Sequence, residues 1–200
     1  PSAVSIYEIL VTEVLEQADE YDDETGELSS FIGECLDELN TYLDEIQDDK
    51  ALREQILHIL FAAYSYDIEA GGVGVAEEAP DMLLQHATDE ERQLIIGWID
   101  NALSKESEGY ISNWRREHYG SFLLDLQADS IDDETFLRIC RQTGRIPDLV
   151  DRLLALGRTD EAIKATEQVS DYDLIDLANL FIQLGHDEIA EKLVQQRSQK

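Results

Sequence analysis

Basic side chains are scarce in this sequence. Fifteen Lys and Arg stand against 45 Asp and Glu in 200 residues, a formal net charge of −30. A field of that sign repels nucleic acid and anionic membrane, because both are polyanions. Direct nucleic-acid binding and membrane binding are therefore not expected. Cysteine is scarcer still. Cys35 and Cys140 stand about a hundred residues apart with no CxxC spacing, which argues against a disulfide scaffold or a zinc site and fits reduced thiols in the cytoplasm. Only three prolines interrupt the chain, so long helices are permitted. No long apolar run is present. The most apolar stretch, Ile56 to Tyr64, contains His58 and is too short to span a bilayer. No signal peptide is read at Pro1–Leu10, and a start at Pro1 implies a removed initiator or a piece of a longer protein.

Motifs that carry chemistry are also missing. Gly71-Gly72-Val73-Gly74 is not followed by Lys-Ser/Thr, as a phosphate-binding loop requires. In the acidic stretch Asp19–Glu27, placing Gly26 at the sixth position of a calcium loop puts Tyr21 at the first and Ile32 at the twelfth, so the register fails. His58, His86, His118 and His186 are scattered, with neither HExxH nor a Gly-x-Ser-x-Gly elbow. No catalytic residue, metal ligand or cofactor is assigned, and the expectation is that the chain is not an enzyme.

What is present is helical periodicity. Ile6, Leu10 and Val14 recur at spacing four. Phe31, Ile32, Cys35, Leu36, Leu39, Tyr42, Leu43 and Ile46 form a broad stripe, and Asp48-Asp49 start a further helix carrying Leu52 to Ala63. Thr88 with Glu91 reads as a capping box. Leu156-Gly157 recurs as Leu184-Gly185, with a half-repeat at Thr143-Gly144-Arg145. Each unit reads helix, glycine turn, polar opening, helix, with small Ala162, Ala165, Ala178 and Ala190 at close approaches. The expected fold is all-α: antiparallel helix pairs stacked as a tetratricopeptide-like α-solenoid of about nine to eleven helices. The expected organisation is an acidic helical bundle over residues 1–70, a flexible connector at 71–80 and a helical-repeat region over 81–200, clearest at 131–200, or alternatively one continuous superhelix.

Asn113-Trp114-Arg115-Arg116-Glu117-His118-Tyr119 is the one place where arginines and aromatics cluster after a base-poor stretch. Arginine and aromatic side chains are enriched as interface anchors. Trp114, Arg115, Arg116 and Tyr119 are therefore the candidate partner-binding residues. The competing reading makes the arginines internal counter-ions with Trp114 in the core. The acidic surface likewise has two readings, attraction of a basic partner or simple solvation.

Glu20-Tyr21-Asp22-Asp23-Glu24-Thr25-Gly26-Glu27-Leu28 followed by Phe31, together with Leu137–Arg145, Asp148-Leu149-Val150 and the Leu-Gly-Arg-Thr-Asp-Glu-Ala repeat, resembles the helical region that accompanies SWIM zinc-finger proteins of bacteria. The Cys-x-Cys and Cys-x-His ligands of such a finger are missing here. The resemblance implies a helical-repeat region of a larger protein that meets protein or peptide, the charge favouring a basic one. Its alternative role is a spacer for a zinc-finger or catalytic domain elsewhere in that protein.

Overall fold

In a computed structural model, residues 3–17, 26–46, 48–105, 110–127, 131–167 and 169–198 are described. Most of the acidic stretch between the first two helices and most of the residues that carry the first part of the resemblance lie outside them. The described residues are all-helical, with no strand: α1 (Ala3–Gln17), α2 (Glu27–Glu45), α3 (Lys50–Glu69), α4 (Ala79–His86), α5 (Asp89–Ser104), α6 (Tyr110–Leu126), α7 (Asp133–Thr143), α8 (Ile146–Ala155), α9 (Thr159–Ala165), α10 (Asp171–Gln183) and α11 (Asp187–Ser198). Helices adjacent in sequence pack as pairs, as short connections require. No helix among the described residues is long and apolar enough to cross a membrane.

The chain divides into two compact units, residues 1–126 and 127–200. This differs from the expected boundary at 71–80. That stretch is an anchored loop inside the first unit. The buried carboxylate of Asp67 accepts hydrogen bonds from the backbone N–H groups of Gly74 (2.6 Å) and Val75 (3.0 Å). Val75, Ala76 and Ala79 are buried beneath it. Helices α4 to α6 therefore join α1 to α3 in one core rather than beginning the repeat region.

Helix α3 is the centre of the first unit and packs on α1, α2, α4, α5 and α6. Its apolar residues face several directions, so it buries more than one stripe. Ile56, Leu57, Leu60 and Ala63 are at most 1% exposed. Val4 and Val11 of α1 and Ile32, Leu36, Leu39 and Leu43 of α2 close one side. Ile95 and Ile99 of α5 close another, where Trp98 meets His58 edge-on at 5.2 Å. Asp49 caps α3 by accepting from Leu52 N–H at 3.1 Å, and Thr88 and Glu91 form the capping box of α5. Each such cap contributes about 1 kcal/mol.

Arg53 of α3 fixes three helix ends at once. Nη1 donates to the carbonyls of Leu43 and Ile46 at the end of α2, and Nη2 to that of His86 at the end of α4. The guanidinium also grips Glu91 at the start of α5.

The second unit is built on glycine turns. Gly144, Gly157 and Gly185 take φ of 78°, 71° and 81°. The following N–H groups of Arg145, Arg158 and His186 reach back five residues to Cys140, Leu153 and Phe181, which satisfies carbonyls the helix end leaves open. Thr159 and Asp187 do open α9 and α11, but the cap position before α9 is Arg158, without a side-chain cap. Acids such as Asp160, Glu161, Asp187 and Glu188 instead occupy the first turns, where the helix dipole favours them. Ala162, Ala178 and Ala190 are buried at the pair contacts. Arg158 binds across elements to Glu134 and Arg152 to Asp133, while Arg158 also holds Glu161 one turn on in α9.

Candidate functional site

The first unit holds a cleft of about 330 Å³ between α3, the glycine loop, α4 and α6. Tyr64, Asp67 and Ile68 line it from α3, Gly72 and Ala76 from the loop, and Pro80, Asp81 and Leu84 from α4. Trp114, His118, Phe122 and Asp125 line it from α6. On a helix, positions 114, 118, 122 and 125 share one face, which is why a single element supplies this wall.

Local geometry holds the wall in place. The His118 ring stacks on Trp114 with centroids 3.6 Å apart and planes tilted by 31°. His118 Nδ1 lies 2.9 Å from the Trp114 carbonyl. A carbonyl can only accept, so that bond places the proton on Nδ1. Tyr64 Oη donates to the His118 carbonyl at 3.1 Å. Burial raises the Tyr64 phenol above the ordinary tyrosine range, with neighbouring Tyr119 and the Asp125 and Asp67 carboxylates adding to the effect. It stays a neutral donor at ordinary pH. Gly72 has φ of 81°, and a Cβ there would lie 2.4 Å from Trp114 Cζ2. Only glycine lets the loop approach the indole this closely.

The inner lining is largely apolar apart from the buried Asp67 carboxylate and the Tyr64 hydroxyl, and the outer lining is acidic. Ile68, Ala76 and Phe122 are at most 4% exposed, whereas Glu77, Asp81 and Asp125 are exposed. No Lys or Arg lines the cleft among the described residues. Nor do the described residues contain a group of three or more His, Cys, Asp or Glu disposed to hold a metal ion.

The candidate cluster Trp114, Arg115, Arg116 and Tyr119 does not form one surface. Trp114 lines the cleft. Arg115 is 3% exposed and points elsewhere: Nε pairs with Glu69 at 2.7 Å, and Nη2 donates to the Ala102 carbonyl at 2.6 Å. It closes the end of α5, the internal counter-ion role. Tyr119 is fully buried against Tyr64 and Phe61, with its hydroxyl 2.8 Å from that of Ser65. Burial and the nearby Glu69 carboxylate push that phenol up to about 12, against the opposing pull of the Ser65 contact and Arg115. Arg116 is exposed and, among the described residues, bonds Ser112 and Asn113 of its own helix. Neighbours in sequence sit about 100° apart on a helix, so a run of seven cannot share a face. Spacing by four would have selected Trp114 with His118 and Phe122, and set Arg115 with Tyr119 apart. Asp67 and Gly72 were hidden for another reason, since a glycine-rich run reads as a connector until the buried carboxylate that organises it is seen.

Compared with known proteins, the chain matches no family model, no curated protein and no solved structure.

Proposed function

We propose that this chain is a helical-repeat protein-interaction module, tetratricopeptide-like in its second unit and part of a larger cytoplasmic protein, and that its partner carries basic segments. The observation that carries this reading is the distribution of charge. The first unit has 30 acidic side chains against six basic ones. Of those six, Arg53, Arg92 and Arg115 are spent on backbone carbonyls inside the unit. The acidic field is left uncompensated at the surface, which favours encounter with a basic partner.

Capture from a lysate of the source organism, with the intact chain as bait at low and at physiological salt, tests the reading. A defined protein retained at physiological salt, and binding again when purified, supports it. Retention of basic proteins at low salt alone refutes it, because such binding is screened charge without shape.

A second reading, a spacer within the longer protein, draws on α10. Tyr172, Ile175 and Ile182 are 77%, 59% and 49% exposed and recur at helical spacing on one face. A further helix pair of an array would cover such a face.

A further inference from the structure

We infer that the outer face of α1 is a docking surface for an amphipathic helix of the partner protein, one whose apolar stripe is flanked by lysine or arginine. This deepens the interaction reading and rests on it for the source of the helix.

Helix α1 carries two apolar stripes and only one is covered. Val4, Val11 and Leu15 are buried, where α1 packs on α2 and α3. Ile6, Ile9 and Leu10 are 48%, 58% and 37% exposed. At about 100° per residue they project from the opposite side of the helix. The spacing of Ile6 and Leu10 that marks this helix in the sequence therefore belongs to its uncovered side. A helix that is apolar on both sides is ordinarily enclosed on both. Single exposed apolar side chains carry no meaning, but these three stand together on one face.

Charge decides what covers that face. Residues 1–49 contain 16 Asp and Glu and no Lys, Arg or His. Exposed Glu13 and Glu16 continue the outer face one and two turns beyond Ile9. No basic side chain stands in the last turn of α1 to offset the negative end of the helix dipole. The first cations in the chain are committed elsewhere: Lys50 to Glu90 at 2.8 Å, and Arg53 to Glu91 and to carbonyls of α2 and α4. The stripe on α10 differs in this respect. Its unit has 15 acids against nine bases, and Arg197 pairs with Asp171 at the start of that helix.

The same observations select the occupant. A second copy of this chain brings the same acidic face and is repelled, as are nucleic acid and anionic membrane. An extended peptide adds to a strand edge, and the described residues contain no strand. A helix packs its ridges against a ridge of this spacing and supplies cations from its flanks.

The test uses the intact chain and a labelled, capped Leu/Lys peptide of about 18 residues with Leu at helical spacing. It is compared with a Leu/Glu peptide of the same spacing and with a scrambled Leu/Lys peptide of the same composition. Fluorescence anisotropy at physiological salt reads the affinity, and amide shifts locate the site. The expected result is saturable binding of the Leu/Lys helix with shifts in residues 3–17, no binding of the Leu/Glu peptide, and binding of the scrambled peptide about tenfold weaker or less. Ile6→Gln/Ile9→Gln weakens binding by about tenfold and Glu13→Gln/Glu16→Gln by about threefold. Ile175→Gln/Ile182→Gln in α10 leaves it unchanged. All six positions are exposed, so the helical spectrum stays as in wild type. Equal binding of the scrambled peptide, an equal loss from the α10 pair, indifference to both α1 pairs, or no binding overturns the inference. So does a dimer of the chain that Ile6→Gln/Ile9→Gln dissociates. If lysate capture succeeds and Ile6→Gln/Ile9→Gln captures equally well, the interaction reading stands and the α1 face falls. If capture fails while the peptide binds α1, the face binds basic helices and the partner reading falls.

Discussion

Arg53 and Glu91, 38 residues apart, meet in a two-pronged ion pair, Nε to Oε1 at 2.8 Å and Nη2 to Oε2 at 3.0 Å, with both side chains almost wholly buried. Glu91 Oε2 also accepts from the N–H and hydroxyl of Thr88. One carboxylate thus serves as the helix cap and as the counter-ion of the residue that ties α2, α4 and α5 to α3. Removing Arg53 leaves that carboxylate buried without its cation. Arg53→Met should cost about 3–5 kcal/mol. Arg53→Met/Glu91→Gln should recover part of this, since Gln still completes the capping box. Urea melts followed by tryptophan fluorescence measure both, because both tryptophans lie in the first unit.

The same pair sets an acid limb. Burial pushes the Glu91 carboxyl up, but the hydrogen bonds from Arg53 and Thr88 and the Arg53 charge outweigh it, and the net shift is downward. A carboxylate whose folded value lies below its unfolded one contributes stability in full above the ordinary glutamate range. It loses that contribution as pH falls through the folded value. Wild type should therefore lose more stability than Arg53→Met does as pH falls from neutral to below the ordinary glutamate range. Equal losses would separate the pair from acid sensitivity.

Gly72 and Gly157 give a matched comparison. Both have positive φ, 81° and 71°, but a Cβ at Gly157 meets nothing within 4 Å, whereas at Gly72 it meets Trp114 at 2.4 Å. Gly157→Ala should cost roughly 1–2 kcal/mol from backbone strain alone. Gly72→Ala should cost more and should also alter Trp114 fluorescence. Denaturant melts and emission spectra of the two variants check this.

Each unit carries one buried thiol, Cys35 in the first and Cys140 in the second. Burial raises both, Cys140 to about 11, with the charge of Glu34 adding at Cys35 and that of Asp148 at Cys140. Both should resist a thiol reagent in the native state and react only as their own unit opens. The first unit has 30 acids against six bases and the second 15 against nine. Salt should therefore slow labelling of Cys35 more than that of Cys140, by screening the larger self-repulsion. Mass spectrometry of labelled peptides over a salt series reads the two rates side by side.

Local features were legible in the sequence, and long-range ones were not. The apolar spacing marked the helices. Thr88 with Glu91 marked a cap, and Gly144, Gly157 and Gly185 marked helix ends, because each signal lies within a few residues of its effect. The Arg53–Glu91 pair and the hold of Asp67 on Gly74 and Val75 depend on which helices pack together. Neither partner carries a mark of the other in the sequence. The division of the chain moved for the same reason, since three glycines suggest a hinge and one buried carboxylate turns them into a fixed loop. The candidate cluster at 113–119 failed on periodicity: Trp114 faces the cleft, while Arg115 and Tyr119 face inward.

The central claim, as proposed above, is that a partner protein with basic segments binds the uncompensated acidic surface of the first unit. Hydrogen exchange of the intact chain, with and without a purified partner at physiological salt, tests it most directly. The account predicts new protection concentrated in the first unit, residues 1–126. Protection confined to the second unit, or none anywhere, would contradict it.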